Sequence, residues 1–404
     1  MYQSDRLNYT NSQRCLSCLF LLVWSKETIF SYIVALVARI PIIGEFSGFL
    51  YGFLIIVLLI FAIRSIRIYP QNLILLIMLI FSYLLSYFLK SENETYLTEN
   101  IDNVFISTVP MFFLAQSLDM ENMIWKKSVK EWLYYLSILI TITSSMYMFY
   151  LLNIKGIVNY DNGNMAYIVL MSALVVLTKA FLNPDVISIV VSVFGFIMIL
   201  SYGARGPCLC FLAYIFLHIC FNTKKRILWI ILCAIAIIIA YRVGWIDMLL
   251  DSLQNFVAKM GLSTRVFDFL YYDSGQWESD ADRMRIYGII RSAIEERPLL
   301  GHGILGDRAI IGGWSHNFIY ELWIDFGIVI GTLVLIGFTI HIIRGLLATK
   351  RHSYARGIIL LLISGTVIMF FFSGSLWISK YFFMLLGFCS LSIRDRRNKL
   401  KTKK

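Results

Sequence analysis

The sequence predicts an all-α polytopic membrane protein, and three observations carry the prediction. Hydrophobic residues make up 59% of the chain and charged residues 15%, with a mean hydropathy of +0.74. A soluble domain has roughly 45–50% apolar and about 25% charged residues. The apolar residues are gathered into runs, and a helix needs about twenty of them to cross a bilayer. Lysines and arginines gather in the short loops between the runs and alternate from loop to loop, which is how cytoplasmic loops mark themselves. That placement also sets aside nucleic acid as the reason for the net charge of +11.

Taken in order, about twelve crossings are predicted: 17–38, 46–63, 71–89, 102–118, 132–152, 164–182, 186–203, 207–221, 227–243, 316–340, 357–373 and 376–392. Lys26 and Glu27 interrupt the first run. The alternative there is an interfacial helix at 15–25 followed by a crossing at 28–44. No cleavable signal peptide is evident, so the first spans are expected to direct insertion.

One set of loops holds Arg64 with Arg67, Lys126 with Lys127 and Lys130, Lys224 with Lys225 and Arg226, and Arg344 through Arg356, ahead of the basic tail. The opposite set holds single cations, Arg39, Lys90, Lys155 and Arg205, among the acids Glu92, Glu94, Glu99 and Asp102. Both termini are therefore expected in the cytoplasm. The predicted division is a membrane bundle of about nine helices over 1–243, a large extracytoplasmic loop over 244–315, further membrane helices over 316–392 and a basic cytoplasmic tail over 393–404.

A loop as long as 244–315 is too long to be a passive connector. Met248, Leu249, Leu250, Leu253, Phe256, Val257 and Met260 recur at helical spacing with Asp247, Asp251 and Lys259 between them. That pattern suits an amphipathic helix on the membrane surface. A second helix, over 281–297, puts Ile286, Ile290, Ala293 and Ile294 on one side. Arg283, Tyr287 and Arg291 share a neighbouring face. Pro298 ends it, and Gly301, Gly303 and Gly306 make the next turn. Seven cysteines, including Cys15 with Cys18 and Cys208 with Cys210, lie in or beside apolar runs. Reduced thiols there behave as small hydrophobes, and no metal or redox site is read from them.

Chemistry is expected where ionisable groups enter the apolar pattern. Glu321 lies about one turn into the tenth predicted span, and Asp325 one turn deeper. A carboxylate at membrane depth is costly unless paired or wetted, so it is a functional candidate. Helical spacing aligns Asn317, Glu321 and Asp325, with His316 and Tyr320 on the adjoining face. Ser315 or Asn317 is the expected N-cap. Arg205, between Gly203 and Gly206 at the outer end of the seventh span, is out of place for a cation. Its guanidinium suits a bidentate grip on phosphate. Arg265, Arg283, Arg285, Arg291, Arg297 and Arg308 add positive charge on the same outer side, a field suited to an anionic substrate.

These residues carry a resemblance. Gly203-Ala204-Arg205-Gly206, Ser263-Thr264-Arg265, Arg283-Met284-Arg285-Ile286-Tyr287 and Pro298-Leu299-Leu300-Gly301-His302-Gly303 stand in order. They are followed by Ser315-His316-Asn317, Glu321 and Asp325-Phe326-Gly327. In that order the chain resembles the O-antigen and capsular polysaccharide repeat-unit polymerases (the Wzy type), a superfamily shared with O-antigen ligases.

The resemblance implies a GT-C-like membrane glycosyltransferase that joins undecaprenyl-diphosphate-linked oligosaccharides at the outer face of the cytoplasmic membrane. Its partners would be that donor and acceptor, the bilayer, and the flippase and chain-length regulator proteins of such pathways. The diphosphate is already a good leaving group, so arginines can stabilise it electrostatically, and no metal or cofactor is expected. His316 or Glu321 can accept the hydroxyl proton; His316 is the expected base or acceptor-positioning group, with Glu321 orienting it or the acceptor, and Arg205 is the third catalytic residue. Arg265, Arg283, Arg291, Asn317 and Tyr287 would bind substrate. Gly327 and Gly331 would let a neighbouring helix pack closely.

Asp280-Ala281-Asp282 resembles the metal-binding D-x-D of nucleotide-sugar glycosyltransferases, but beside Glu278 and Ser279 it reads as a plain acidic turn. A ligase of the same architecture is the nearer rival reading. A flippase, which would show repeated halves and broken helices near the midplane, is the more distant one.

Overall fold

A computed structural model describes residues 11–25, 41–153, 163–223, 226–261, 264, 266–267 and 278–401. Helix α1 covers 11–25, α2 Pro41–Ala62, α3 Pro70–Leu89 and α4 Glu94–Asp102. A wide π turn, Asn103–Thr108, leads into α5, Val109–Ser117. After a minimal hairpin of Met123–Ile124 and Lys127–Ser128 come α6 Val129–Asn153, α7 Gly163–Leu182 and α8 Val186–Ser201. Then follow α9 Arg205–Asn222, α10 Arg226–Arg242 and α11 Trp245–Lys259. The chain continues with α12 Glu278–Glu296, α13 Gly306–Ile311 and α14 Phe318–Ala348. It ends with α15 Tyr354–Leu362 and α16 Lys380–Lys401.

Local chemistry explains several of these boundaries. Pro70 opens α3, where its missing N–H costs nothing. Asp185 caps α8 by accepting the Ser188 N–H at 2.8 Å. Gly244, at φ +77°, turns the chain from α10 into α11.

Among the described residues five helices are long and apolar enough to cross a membrane: α3, Met165–Leu182 within α7, α9, α14 and Tyr354–Phe371. Two of them also expose most of their apolar surface. Only 17% of the apolar window of α3 and 11% of that of α14 is buried inside the protein. Helices this apolar and this exposed have to meet lipid, as in an all-α membrane protein. The first predicted span runs into residues 26–40, which lie outside the described residues. The run at 102–118 is not one straight helix but the π turn and α5. Asp280 to Asp282 fall inside α12 rather than in a turn.

The chain divides into two compact units that interleave along the sequence. One comprises Met1–Ser65, Leu118–Asp273 and Lys350–Gly365. Its helices pack through small and hydroxylated residues, as membrane helices do. A Cβ on Gly195 would stand 2.8 Å from that of Ala173. Tyr134 bonds Ser188 at 3.0 Å, and Thr178 bonds Tyr214 at 2.7 Å. The amphipathic α11 belongs to this unit and exposes Met248, Leu249, Phe256 and Met260.

The second unit comprises Ile66–Ser117, Ser274–Thr349 and Thr366–Lys404. Here α16 packs along α5 and α14. Ile290, Ile294 and Ile324 form a small core joining α12 to α14, with Tyr287 and Tyr320 against it.

Candidate active site

The second unit is built around a break in α14. Gly327 has φ +76° and ψ +169°, which divides the element into a short stretch, 318–326, and the long helix beyond. A break leaves carbonyls and N–H groups without helical partners, and the preceding loop takes them up. His302 N–H donates to the Ile324 carbonyl at 2.6 Å, and Gly303 N–H to that of Asp325 at 3.0 Å. Ile328 N–H donates to the Pro298 carbonyl at 2.7 Å.

The approach is close enough to require glycine on both sides. A Cβ on Gly301 would lie 2.4 Å from the Ile324 carbonyl oxygen, and one on Gly327 2.4 Å from the Leu299 carbonyl. The close approach expected of a neighbouring helix at Gly327 and Gly331 is therefore made by other parts of the chain. Residues 298–299 approach Gly327, and Leu322 and Trp323 approach Gly331.

The loop is held from its other side by the turn between α3 and α4. Asn93 Nδ2 donates to the His302 carbonyl at 2.7 Å and to that of Ile304 at 3.3 Å. Ser86 Oγ accepts the Ile304 N–H at 2.8 Å, and Arg297 pairs with Glu92 at 2.9 Å. His302 turns its ring to the Ala293 carbonyl at 2.8 Å, which makes it a turn residue.

A prediction follows. Gly301 has φ +62° and a backbone clash, whereas Gly312 has φ +69° with nothing within 4 Å of its Cβ. Gly312→Ala should cost about 1 kcal/mol, the ordinary left-handed penalty, and Gly301→Ala clearly more. Thermal unfolding of the two purified variants in detergent checks the order. Equal losses would mean that the loop does not hold the break.

Glu321 and Asp325 lie on the short stretch, each 1% exposed. Ser375 Oγ donates to Glu321 Oε1, and Leu376 N–H donates to Oε2 at 3.0 Å. Asp325 accepts the Trp377 indole N–H at 2.5 Å and the Gly306 N–H at 3.3 Å. Arg308 lies between the acids. Its Nη1 is 2.6 Å from Asp307 Oδ1 and 3.6 Å from Glu321 Oε1, and its guanidinium packs 5.2 Å from the Trp314 ring. Burial pushes the Arg308 guanidinium toward losing its proton, but the charges of Asp307, Glu321 and Asp325 outweigh this and hold its pKa above the ordinary value. Three carboxylates thus share one buried cation.

His316 stands in the loop ahead of α14, at φ +52°. That left-handed conformation costs a non-glycine residue on the order of 1–3 kcal/mol. Among the described residues its buried Nδ1 has no hydrogen-bond partner. Burial pushes the imidazole pKa down, the nearby Arg283 lowers it further, and Asp307 opposes both.

The flanking residues are tied down. Ser315 N–H donates to Asp307 Oδ2 at 2.9 Å. Asn317 caps α14 through the Ile319 N–H at 3.0 Å and also bonds Tyr287. Tyr287 packs against Tyr320 with ring centroids 5.3 Å apart, and burial raises its phenol pKa.

Of the residues singled out from sequence, His316, Asn317, Tyr287 and Arg283 therefore come together at one place. Arg283 reaches the Phe372 carbonyl at 3.4 Å. Arg291 lies one turn beyond Tyr287 and is exposed. Arg205 is the first residue of α9, in the first unit, directly after Gly203 at φ +72° and the buried Tyr202. Arg265 lies outside the described residues.

Sequence reasoning missed Asp307, Ser375 and Trp377. Ser375 and Trp377 sit at the start of what reads as the last apolar span, but α16 begins only at Lys380, which leaves them free to reach the acids. Asp307 gave a weak signal, one acid beside one arginine in a glycine-rich turn.

No curated protein and no solved structure matches the chain. A family model does, described as O-Antigen ligase (Wzy_C), over residues 190–336. That matched stretch carries Arg205, the loop that fills the helix break, the Asp307–Arg308 pair, His316 and Glu321, and it supports the O-antigen ligase/polymerase superfamily for this chain.

Proposed function

We propose that the protein is a polymerase that joins undecaprenyl-diphosphate-linked oligosaccharide repeat units into a capsule, exopolysaccharide or O-antigen. Members of the superfamily are glycosyltransferase-like membrane enzymes, and one observation carries the assignment of roles. Both carboxylate oxygens of Glu321 are already engaged, by Ser375, Arg308 and Leu376, whereas the buried Nδ1 of His316 has no hydrogen-bond partner among the described residues. His316 is the base and Glu321 a positioning group.

In the reaction the acceptor hydroxyl oxygen attacks the anomeric carbon of the donor sugar. The bond from that carbon to the diphosphate oxygen breaks, and the hydroxyl proton passes to His316. Undecaprenyl diphosphate leaves as an anion whose charge arginines stabilise, the candidates from the sequence being Arg205, Arg265, Arg283 and Arg291. Asn317 and Tyr287 hold the acceptor sugar. The test is the lipid-linked glycan that accumulates when the protein is removed. Single units support polymerase; long chains not yet transferred support the second reading, a ligase, which the description of the matching family favours.

From the alternation of lysines and arginines between loops we further propose about twelve spans, both termini in the cytoplasm, and residues 244–315 with the site outside. Cysteines introduced at Ser91 and Ser279 should react with an impermeant thiol reagent in intact cells, and one at Ser353 should not. Labelling at Ser353 from outside would put the site in the wrong compartment.

A further inference from the structure

We infer that Asp307, which the reaction does not touch, is the positioning residue that holds His316 in its working conformation. The inference rests on the reading of His316 as base. His316 is strained at φ +52°, and a side chain kept off its relaxed backbone needs a partner close by that over-determines the geometry. The buried Asp307 is that partner, with 0% of its surface exposed.

Its two oxygens face in two directions. Oδ2 accepts the N–H of Ser315, the residue directly before His316, at 2.9 Å. Oδ1 takes Arg308 Nη1 at 2.6 Å, and the same nitrogen lies 3.6 Å from Glu321. Through Arg308, one carboxylate therefore ties the backbone of the base to Glu321. Ser315 adds its own bond to the Asn317 carbonyl at 3.1 Å, so the three residues 315–317 are fixed at both ends. The charged groups acting on His316 are Arg283 and Asp307, so removing Asp307 also changes the proton affinity of the base in a known direction.

The experiment measures kcat and KM for purified enzyme acting on lipid-linked repeat units, with folded protein quantified for each variant. Asp307→Ala should lower kcat about 10²-fold, the usual result of misplacing a catalytic group by about an ångström, with KM nearly unchanged. Asp307→Asn keeps an oxygen for the Ser315 N–H and should recover most of that loss. Both variants lack the negative charge, so in both the acid limb of the pH profile should move to lower pH.

In the His316→Ala background, Asp307→Ala should cost nothing further, because its effect passes through a side chain no longer there. A further loss in that background, or a normal kcat per folded Asp307→Ala molecule, overturns the positioning role. Near-normal activity of His316→Ala by itself overturns the assignment of the base, and this inference falls with it.

Discussion

His316→Ala is expected to leave single lipid-linked units unjoined. General base catalysis contributes about 10²–10⁴-fold, and the loss should lie in that range. Glu321→Gln should keep measurable activity, since its amide oxygen can accept the Leu376 N–H while its NH2 donates to Ser375 Oγ. The pH profile gives a second readout. A base works only when neutral, so activity falls as pH drops through its pKa. Burial and Arg283 together set that pKa below the ordinary imidazole value, which is about 6.5. The acid limb of the wild type should therefore lie below that value, and it should vanish in His316→Ala. If Glu321→Gln abolishes joining while His316→Ala spares it, the carboxylate is the base.

Arg205→Lys should cost nearly as much, about 10²–10³-fold, with the protein still inserted. Lysine keeps the charge but not the planar fork that meets two phosphate oxygens at once. The backbone favours such a role: Gly203, at φ +72°, turns the chain so that Arg205 becomes the first residue of α9. A helix start is where an anion is electrostatically welcome. Full-length polymer from the lysine variant would reduce Arg205 to a headgroup anchor.

Much of this was legible in the chain because apolar runs of membrane length admit few conformations. The helices α3, α7, α9 and α10 closely follow the runs that predict them. So does α12, whose apolar side at Ile290, Ala293 and Ile294 is buried as its spacing requires. The break at Gly327 was not legible. A single glycine inside an apolar run reads as a tolerated one, and only the meeting with Gly301 gives it meaning. Reading α14 as continuous placed Glu321 and Asp325 at successive depths of one span; the break puts them instead on a short stretch of their own. Their partners came from regions read as featureless. Trp377 counted as one more apolar residue, and nothing local to Ser375 marks it as the donor to a carboxylate 54 residues earlier.

The clamp on the 298–306 loop also sets an order of assembly. Asn93 finds its acceptor at His302, 209 residues further along, and Glu92 finds Arg297 after 205. At about 5–20 residues per second of synthesis, α3 and the α3–α4 turn are made roughly 10–40 s before the chain that satisfies them exists. During that interval Asn93, fully buried in the finished protein, lacks the His302 and Ile304 carbonyls it bonds there. The clamp on the 298–306 loop therefore cannot close until late in translation.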